Sequence, residues 1–363
     1  MPNPSRRNRA GLCTLAFLFF GLEPSQAEVV QGWTMDADPA LEAGLESLDA
    51  AIRDDDYLRI NAVVIIRDGK LAWERYYNGS DRDTTHNPRS VGKTFVMPVL
   101  GLAIDQGHIG SLDQTLGDFY SLEDYDNYST KKAGVTLRQL VSMTSGFEGF
   151  DFVPESPGNE ENMYPTPDWV RWTLNLPMAE SRQPGQEWRY FTAGIVVVGD
   201  ILNRQLPGGL EAYADKHLFK PLGIRNYQWQ HTPQGVANTA GGIQLTPLGF
   251  AKFGELHLRD GRWNGKQVLP AGWAAQGMQA TTATTIDGES YGWLWWNKNY
   301  RVGDSDWNTA YCSGNGGNKI FVFPEQSLVI VVTASAYGQR FMHSQVDDMM
   351  TRHILPAIDS LDD

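Results

Sequence analysis

Pro88-Arg89-Ser90-Val91-Gly92-Lys93-Thr94-Phe95 is the stretch on which the fold turns. Ser90 and Lys93 stand three apart, and an apolar run follows through Phe95, Val96, Met97, Val99, Leu100, Leu102, Ala103 and Ile104. Residues i and i+3 share one face of a helix, so hydroxyl and amine meet over its first turn. Gly107 is placed to end that helix, and Pro98 predicts a kink inside it. A hydroxyl beside a desolvated amine can act as nucleophile and base, and a helix N-terminus favours the negative charge that develops. The same serine would equally serve as a simple N-cap. Ser129-Thr130-Lys131-Lys132 repeats the spacing, but beside Asp126, Asn127 and Gly134, where the composition reads as a solvated loop.

Working outward, Leu41, Leu45, Leu48 and Ile52 form one stripe of a helix over 38–53. The runs 61–67 and 71–77 flank Asp68-Gly69 and read as a β-hairpin. Thr136 is placed to cap a helix that Gly146 ends. Residues 147–167 are rich in Gly, Pro, Asn and Glu and read as a long surface loop. From Trp169 to Lys266 the pattern is mostly helical. Strand character returns at 291–296, 319–323 and 328–333, and a last helix falls near 338–355. The expected class is α+β: one antiparallel sheet from residues 60–78 and 290–335, with the first and last helices on one face and a largely helical region on the other. In domain terms, a sheet part (about 28–79 and 286–363) encloses a helical part (about 80–285).

The composition is globular. A net charge of −13 without a basic stripe excludes nucleic acid as an expected partner. Arg6, Arg7 and Arg9, the apolar run from Ala10 to Leu22 and Pro24-Ser25-Gln26-Ala27 form the pattern of a secretory signal cleaved after Ala27. Cleavage removes three Arg and one Glu, leaving −15, no stable membrane insertion, and a periplasmic or secreted protein. Cys13 departs with the signal, so Cys312 remains alone without an intramolecular disulfide partner. The seven His are scattered without metal-ligand spacing, and no glycine-rich phosphate loop precedes a helix, so no metal or cofactor is expected. Gly288-Glu289-Ser290-Tyr291-Gly292 matches the nucleophile elbow of α/β-hydrolases, which makes Ser290 a rival nucleophile. That elbow needs a strand before the serine and a helix after it, and both flanks here are wrong.

Val135-Thr136-Leu137-Arg138-Gln139-Leu140-Val141-Ser142-Met143-Thr144-Ser145-Gly146-Phe147 resembles the TLRxLLxMTSGL block of the serine β-lactamase-like superfamily. That group holds class C β-lactamases, D-Ala-D-Ala carboxypeptidases, related esterases and 6-aminohexanoate-dimer hydrolases. Arg89–Phe95 resembles its Ser-x-x-Lys helix, and Arg189–Gly199 its Tyr-x-Asn/Ser helix start. Gly241–Pro247 and Cys312–Asn318 resemble two later blocks, all in family order. The resemblance implies the sheet-plus-helical fold. It implies Ser90 as nucleophile, Lys93 as its base or orienter, and Tyr190 as second proton carrier. The backbone N–H groups of Ser90 and Asn315 would form the oxyanion hole, with Thr192, Cys312 and Gly314 as substrate contacts.

Two departures stand out. Thr192 replaces the usual Asn or Ser. Cys312 stands where penicillin-recognising members carry Lys or His, and a thiol cannot hold a carboxylate as an ammonium does. Its simpler role is a small buried hydrophobe. The expected substrate is therefore a small ester or amide, cleaved through an acyl-enzyme. A penicillin-binding, D-Ala-D-Ala peptidase-like protein with little turnover is the alternative, because fold does not guarantee activity.

Overall fold

The computed structural model describes residues 29–30, 32–35 and 38–361; the signal sequence expected at 1–27 lies outside the described residues. Helix α1 (Pro39–Arg53) starts under Asp38, whose carboxylate accepts the Ala40 N–H at 2.8 Å, and it buries Leu41, Leu45, Leu48 and Ile52 as the stripe predicts. The chain then enters the hairpin of β1 (Ile60–Arg67) and β2 (Lys70–Tyr76). Asp68 (φ +51°) and Gly69 (φ +72°) form its turn, a left-handed pair that suits the twist of an antiparallel ribbon.

Six further strands complete the main sheet: β3 (Thr282–Ala283), β4 (Ser290–Tyr291), β5 (Trp296–Val302), β6 (Ser305–Gly314), β7 (Asn318–Phe323) and β8 (Leu328–Ala334). Their order is β2-β1-β8-β7-β6-β5-β4-β3, antiparallel throughout. The last strand thus pairs with the first, Val331 against Val64, and closes the two ends of the chain into one sheet. The run 291–296 is not one strand. Leu294 has φ +61°, and the Gly292 N–H bonds Trp295 O at 2.8 Å, so a turn separates β4 from β5. The longest strand, β6, carries few β-branched residues, and its pairing with β5 and β7 sets its conformation.

One face of the sheet is covered by α1 and the C-terminal helix α5 (Ser344–Met349, continued by a π-helical turn to Ile354 and a last helix to Asp359). The other face receives α4 (Pro247–Leu258), where a Cβ on Gly254 would stand 2.6 Å from Val329 Cγ1. The helical region also contains α2 (Val96–Asp105) and α3 (Thr192–Gln205), both largely buried and packed on each other. Phe95 stacks on Phe253 of α4 at 3.8 Å between ring centroids, which ties the helical region to the sheet. Among the described residues no helix is long and apolar enough to cross a membrane.

Candidate active site

Ser90 does not open an α-helix directly. Arg89–Phe95 is a 3₁₀ turn, and α2 begins at Val96. Pro98 falls in the first turn of α2, just past the change of helix type, where its missing N–H costs least. Gly107 (φ +73°) follows the helix at the predicted stop. A 3₁₀ turn brings residues i and i+3 almost into line. Lys93 Nζ accordingly donates to Ser90 Oγ at 2.8 Å and to the Ala240 carbonyl at 2.7 Å, and the lysine is 1 % exposed.

Arg89, just before the serine, sits at φ +53°. Its guanidinium lies 4.6 Å over the Tyr337 ring, and its N–H bonds Asn87 Oδ1 at 3.0 Å. This left-handed arginine is local strain held by its neighbours.

Two backbone approaches fix the turn. A Cβ on Gly314 would lie 1.9 Å from Pro88 O, and one on Gly241 (φ +138°) would lie 2.4 Å from Arg89 O. Only glycine permits such contact. The first brings the end of β6 against the turn, with Asn315 following; neither the Ser90 nor the Asn315 N–H pairs with a backbone carbonyl among the described residues. The Asn315 side chain accepts the Gly338 N–H at 2.8 Å, and its carbonyl accepts from Asn318 Nδ2 at 2.9 Å, so the loop is held from both sides. Ser90, Asn315, Glu160 and Glu161 line one cavity of about 420 Å³.

Tyr190 precedes α3 and is buried, with its ring 5.3 Å from Lys93 Nζ. Phe152 and Trp296 stack on it at 5.3 and 5.7 Å. Burial pushes the phenol up, while the Lys93 charge and a hydrogen bond with Ser90 oppose the shift. The Ser90 hydroxyl, the Lys93 nitrogen and the Tyr190 phenol thus meet at one point.

Thr192 and Cys312 are not among the residues lining this cavity. Thr192 is fully buried as the first residue of α3. Cys312 lies on the buried side of β6 beside Thr94, and burial raises its thiol pKa, with the Thr94 hydrogen bond and the Lys319 charge opposing.

Ser290 sits far along the sheet in the two-residue β4, paired with Asn297 and Ala283, and a turn rather than a helix follows it. It lines a different cavity with His257 and Lys298. Ser129 caps a short helix by accepting the Lys132 N–H at 3.1 Å. Lys132 is fully buried rather than solvated, and its Nζ reaches the Asp126 and Leu174 carbonyls. Its Ser-x-x-Lys spacing therefore builds no pair.

The loop 147–167 is less superficial than its composition predicts. Phe147, Ser156, Asn159 and Met163 are buried, and Glu160–Met163 is helical. It contributes Asp151, Phe152 and Glu160, which the spacing arguments did not reach. The Ala240 carbonyl was also missed, although Gly241-Gly242 beside it had marked the segment. Among the described residues no group of three or more His, Cys, Asp or Glu side chains is arranged to hold a metal ion.

A family model described as Beta-lactamase matches residues 48–346, and the chain belongs to that family. Solved structures agree on the fold. A putative 6-aminohexanoate-dimer hydrolase from Bacillus anthracis superposes with TM-score 0.69 at 21 % identity, covering 86 % of this chain and 82 % of that one. EstCE1, described as a hydrolase with promiscuous acyltransferase activity, gives 0.67 at 17 %, covering 85 % and 98 %. A class C beta-lactamase from Rhodobacter sphaeroides gives 0.62 at 16 %, covering 88 % and 100 %. No curated protein sequence matches.

Proposed function

We propose that the protein is a serine hydrolase that cleaves a small ester or amide through an acyl-enzyme on Ser90. The observation that carries this is the buried Lys93 Nζ 2.8 Å from Ser90 Oγ, with the Tyr190 phenol against the same pair. In this reading Ser90 Oγ attacks the substrate carbonyl. Its proton passes to the lone pair of the Lys93 amine and is relayed through the Tyr190 hydroxyl to the leaving group. The tetrahedral oxyanion is received by the Ser90 and Asn315 N–H groups. Water then attacks the acyl group over the same proton path.

The cavity beside Ser90 admits a small substrate, and the buried Cys312 offers no cation to a substrate carboxylate. Structural neighbours described as hydrolases stand beside β-lactamases, so the preference for an ester or amide rests on Cys312. The N-terminal signal pattern supports action in the periplasm or outside the cell.

The test is covalent labelling with a fluorophosphonate or a penicillin probe, followed by mapping of the modified peptide. Label on Ser90 is expected. Label on Ser290 would overturn the assignment, and no label from either probe would favour a binding protein without turnover. Turnover of p-nitrophenyl esters against nitrocefin then separates ester from β-lactam preference.

A further inference from the structure

Asp151 reaches Tyr190 from the loop 147–167. Its N–H donates to the Tyr190 carbonyl at 2.9 Å, and its Oδ2 accepts the Thr192 N–H at 2.7 Å. One residue therefore grips the chain at Tyr190 and again two residues on. The other oxygen, Oδ1, accepts the Glu160 N–H at 2.9 Å. Helix α3 has no cap of its own, since Phe191 at the N-cap offers no side-chain acceptor. Asp151 supplies that acceptor from 41 residues away. The next residue, Phe152, lays its ring on Tyr190 at an interplanar angle of 12°.

We propose that Asp151 is a positioning residue for the reaction at Ser90, whose carboxylate fixes Tyr190 and releases it on protonation. The proposal rests on the reading of Ser90 and Tyr190 given above. The chemistry of the clasp is one-sided, because both partners of the carboxylate are N–H donors. An ionised carboxylate accepts from both, whereas a protonated acid places a hydrogen on one oxygen and weakens one of the two bonds.

The titratable groups around Asp151 come from every element packed on it. Glu160 and Tyr164 lie on the side of the short helix, Lys93 on the 3₁₀ turn, and Tyr190 at the head of α3. Burial and then the Glu160 charge raise the Asp151 carboxyl to about 7, against the backbone N–H and side-chain hydroxyl of Thr192 and the Lys93 charge. The clasp would therefore loosen as the pH falls through about 7.

The experiment measures the rate at which a fluorophosphonate labels Ser90 between about pH 5 and 9, in the full chain and in two variants. Asp151→Asn keeps the shape but offers one acceptor to two donors. Thr192→Pro keeps Asp151 and removes the N–H it accepts together with the threonine hydroxyl beside the carboxylate, at a first helical position that tolerates proline. The wild type is expected to lose labelling rate below about pH 7, and both variants to label roughly ten-fold or more slowly at pH 8 without that acid limb. Circular dichroism melting confirms that each variant is folded. A folded Asp151→Asn with wild-type rate and acid limb overturns the proposal, as does a Thr192→Pro that keeps both. If Asp151→Asn fails to fold, Thr192→Pro decides. Absence of Ser90 labelling in the wild type overturns the underlying reading and this proposal with it.

Discussion

Gly314→Ala is the substitution whose effect follows most directly from distance. Its Cβ would stand 1.9 Å from Pro88 O and 3.2 Å from the Ser90 N, while side-chain Cβ atoms essentially never approach a heavy atom within 3.0 Å. Either the end of β6 or the Pro88 peptide must give by about 1 Å. The obstacle is backbone on both sides, so no rotamer change absorbs it. Overpacking of this kind costs about 1–3 kcal/mol, a fall in Tm of a few degrees for a chain of this size. The larger effect is on rate. The displaced groups include the Ser90 N–H and the strand end before Asn315, and a misplacement of about 1 Å costs on the order of 100-fold in rate. The assay is p-nitrophenyl ester turnover beside a thermal melt, with kcat/KM corrected for folded fraction. A variant with wild-type kcat/KM and wild-type Tm would refute the claim that this contact sets the geometry of the site. A lower Tm with unchanged kcat/KM would show that the movement is taken up away from Ser90.

Tyr190→Phe keeps the rings of Phe152 and Trp296 packed and removes only the phenol hydroxyl; kcat/KM for the same ester should fall about 10²–10⁴-fold while Tm stays within a few degrees, and turnover close to wild type would remove Tyr190 from the proton path. Cys312, 1 % exposed and with its thiol pKa raised by burial, should resist iodoacetamide in the native protein and react in denaturant; alkylation of the native protein as fast as of a model thiol would contradict the placement of β6. Burial holds His257 neutral, with its pKa lowered to about 4 against an ordinary 6.5. The unfolded chain therefore binds the extra proton between those values, so stability falls as pH falls from about 6.5 toward 4. His86 acts in the same direction and Asp151 in the opposite one. The urea midpoint should drop between pH 7 and pH 5, and His257→Phe should narrow that gap by about 2 kcal/mol; an unchanged gap would show that His257 is not titrating in the unfolded chain alone.

Much of the frame was legible because it is local. The stripe of α1 and the turn at Asp68-Gly69 each depend on residues within a few positions, and both stand where their pattern places them. Strand β6 was not legible. Asp306-Trp307-Asn308-Thr309 alternates exposed polar with buried aromatic and hydroxyl groups on the strand that β5 pairs, and that pairing is not encoded in the local sequence. The break at Leu294 is of the same kind: a left-handed leucine is costly in isolation, and the Leu294 N–H is held by the Val141 carbonyl far away in sequence. At the site, the spacing of Ser90 and Lys93 gave the pair, but not the 3₁₀ geometry that brings them to 2.8 Å. Asp151 could not be read at all. Its partners are 9 and 41 residues distant, and its loop has the composition of a solvated segment.

The way the site is assembled divides its parts into two kinds. Lys93 and Ala240 are 147 residues apart and are brought together by a glycine contact of backbone on backbone. Gly314 does the same for the end of β6. These joins lie in close-packed surroundings that cannot deform without unpacking α2 or the sheet, so stability and rate must fall together when they are disturbed. Tyr190 is set differently. Its ring is stacked by Phe152, itself about half exposed, as well as by Trp296, and its backbone is clasped by Asp151; Phe152 and Asp151 come from a loop that mixes buried and exposed positions. Such a loop can shift at little cost to the core. Changes at Asp151 or Phe152 should therefore alter rate and pH profile more than Tm, whereas Gly241→Ala, like Gly314→Ala, should alter both. A Phe152→Ala variant that melts several degrees low with unchanged turnover would show that the loop belongs to the rigid frame and that Tyr190 is positioned without it.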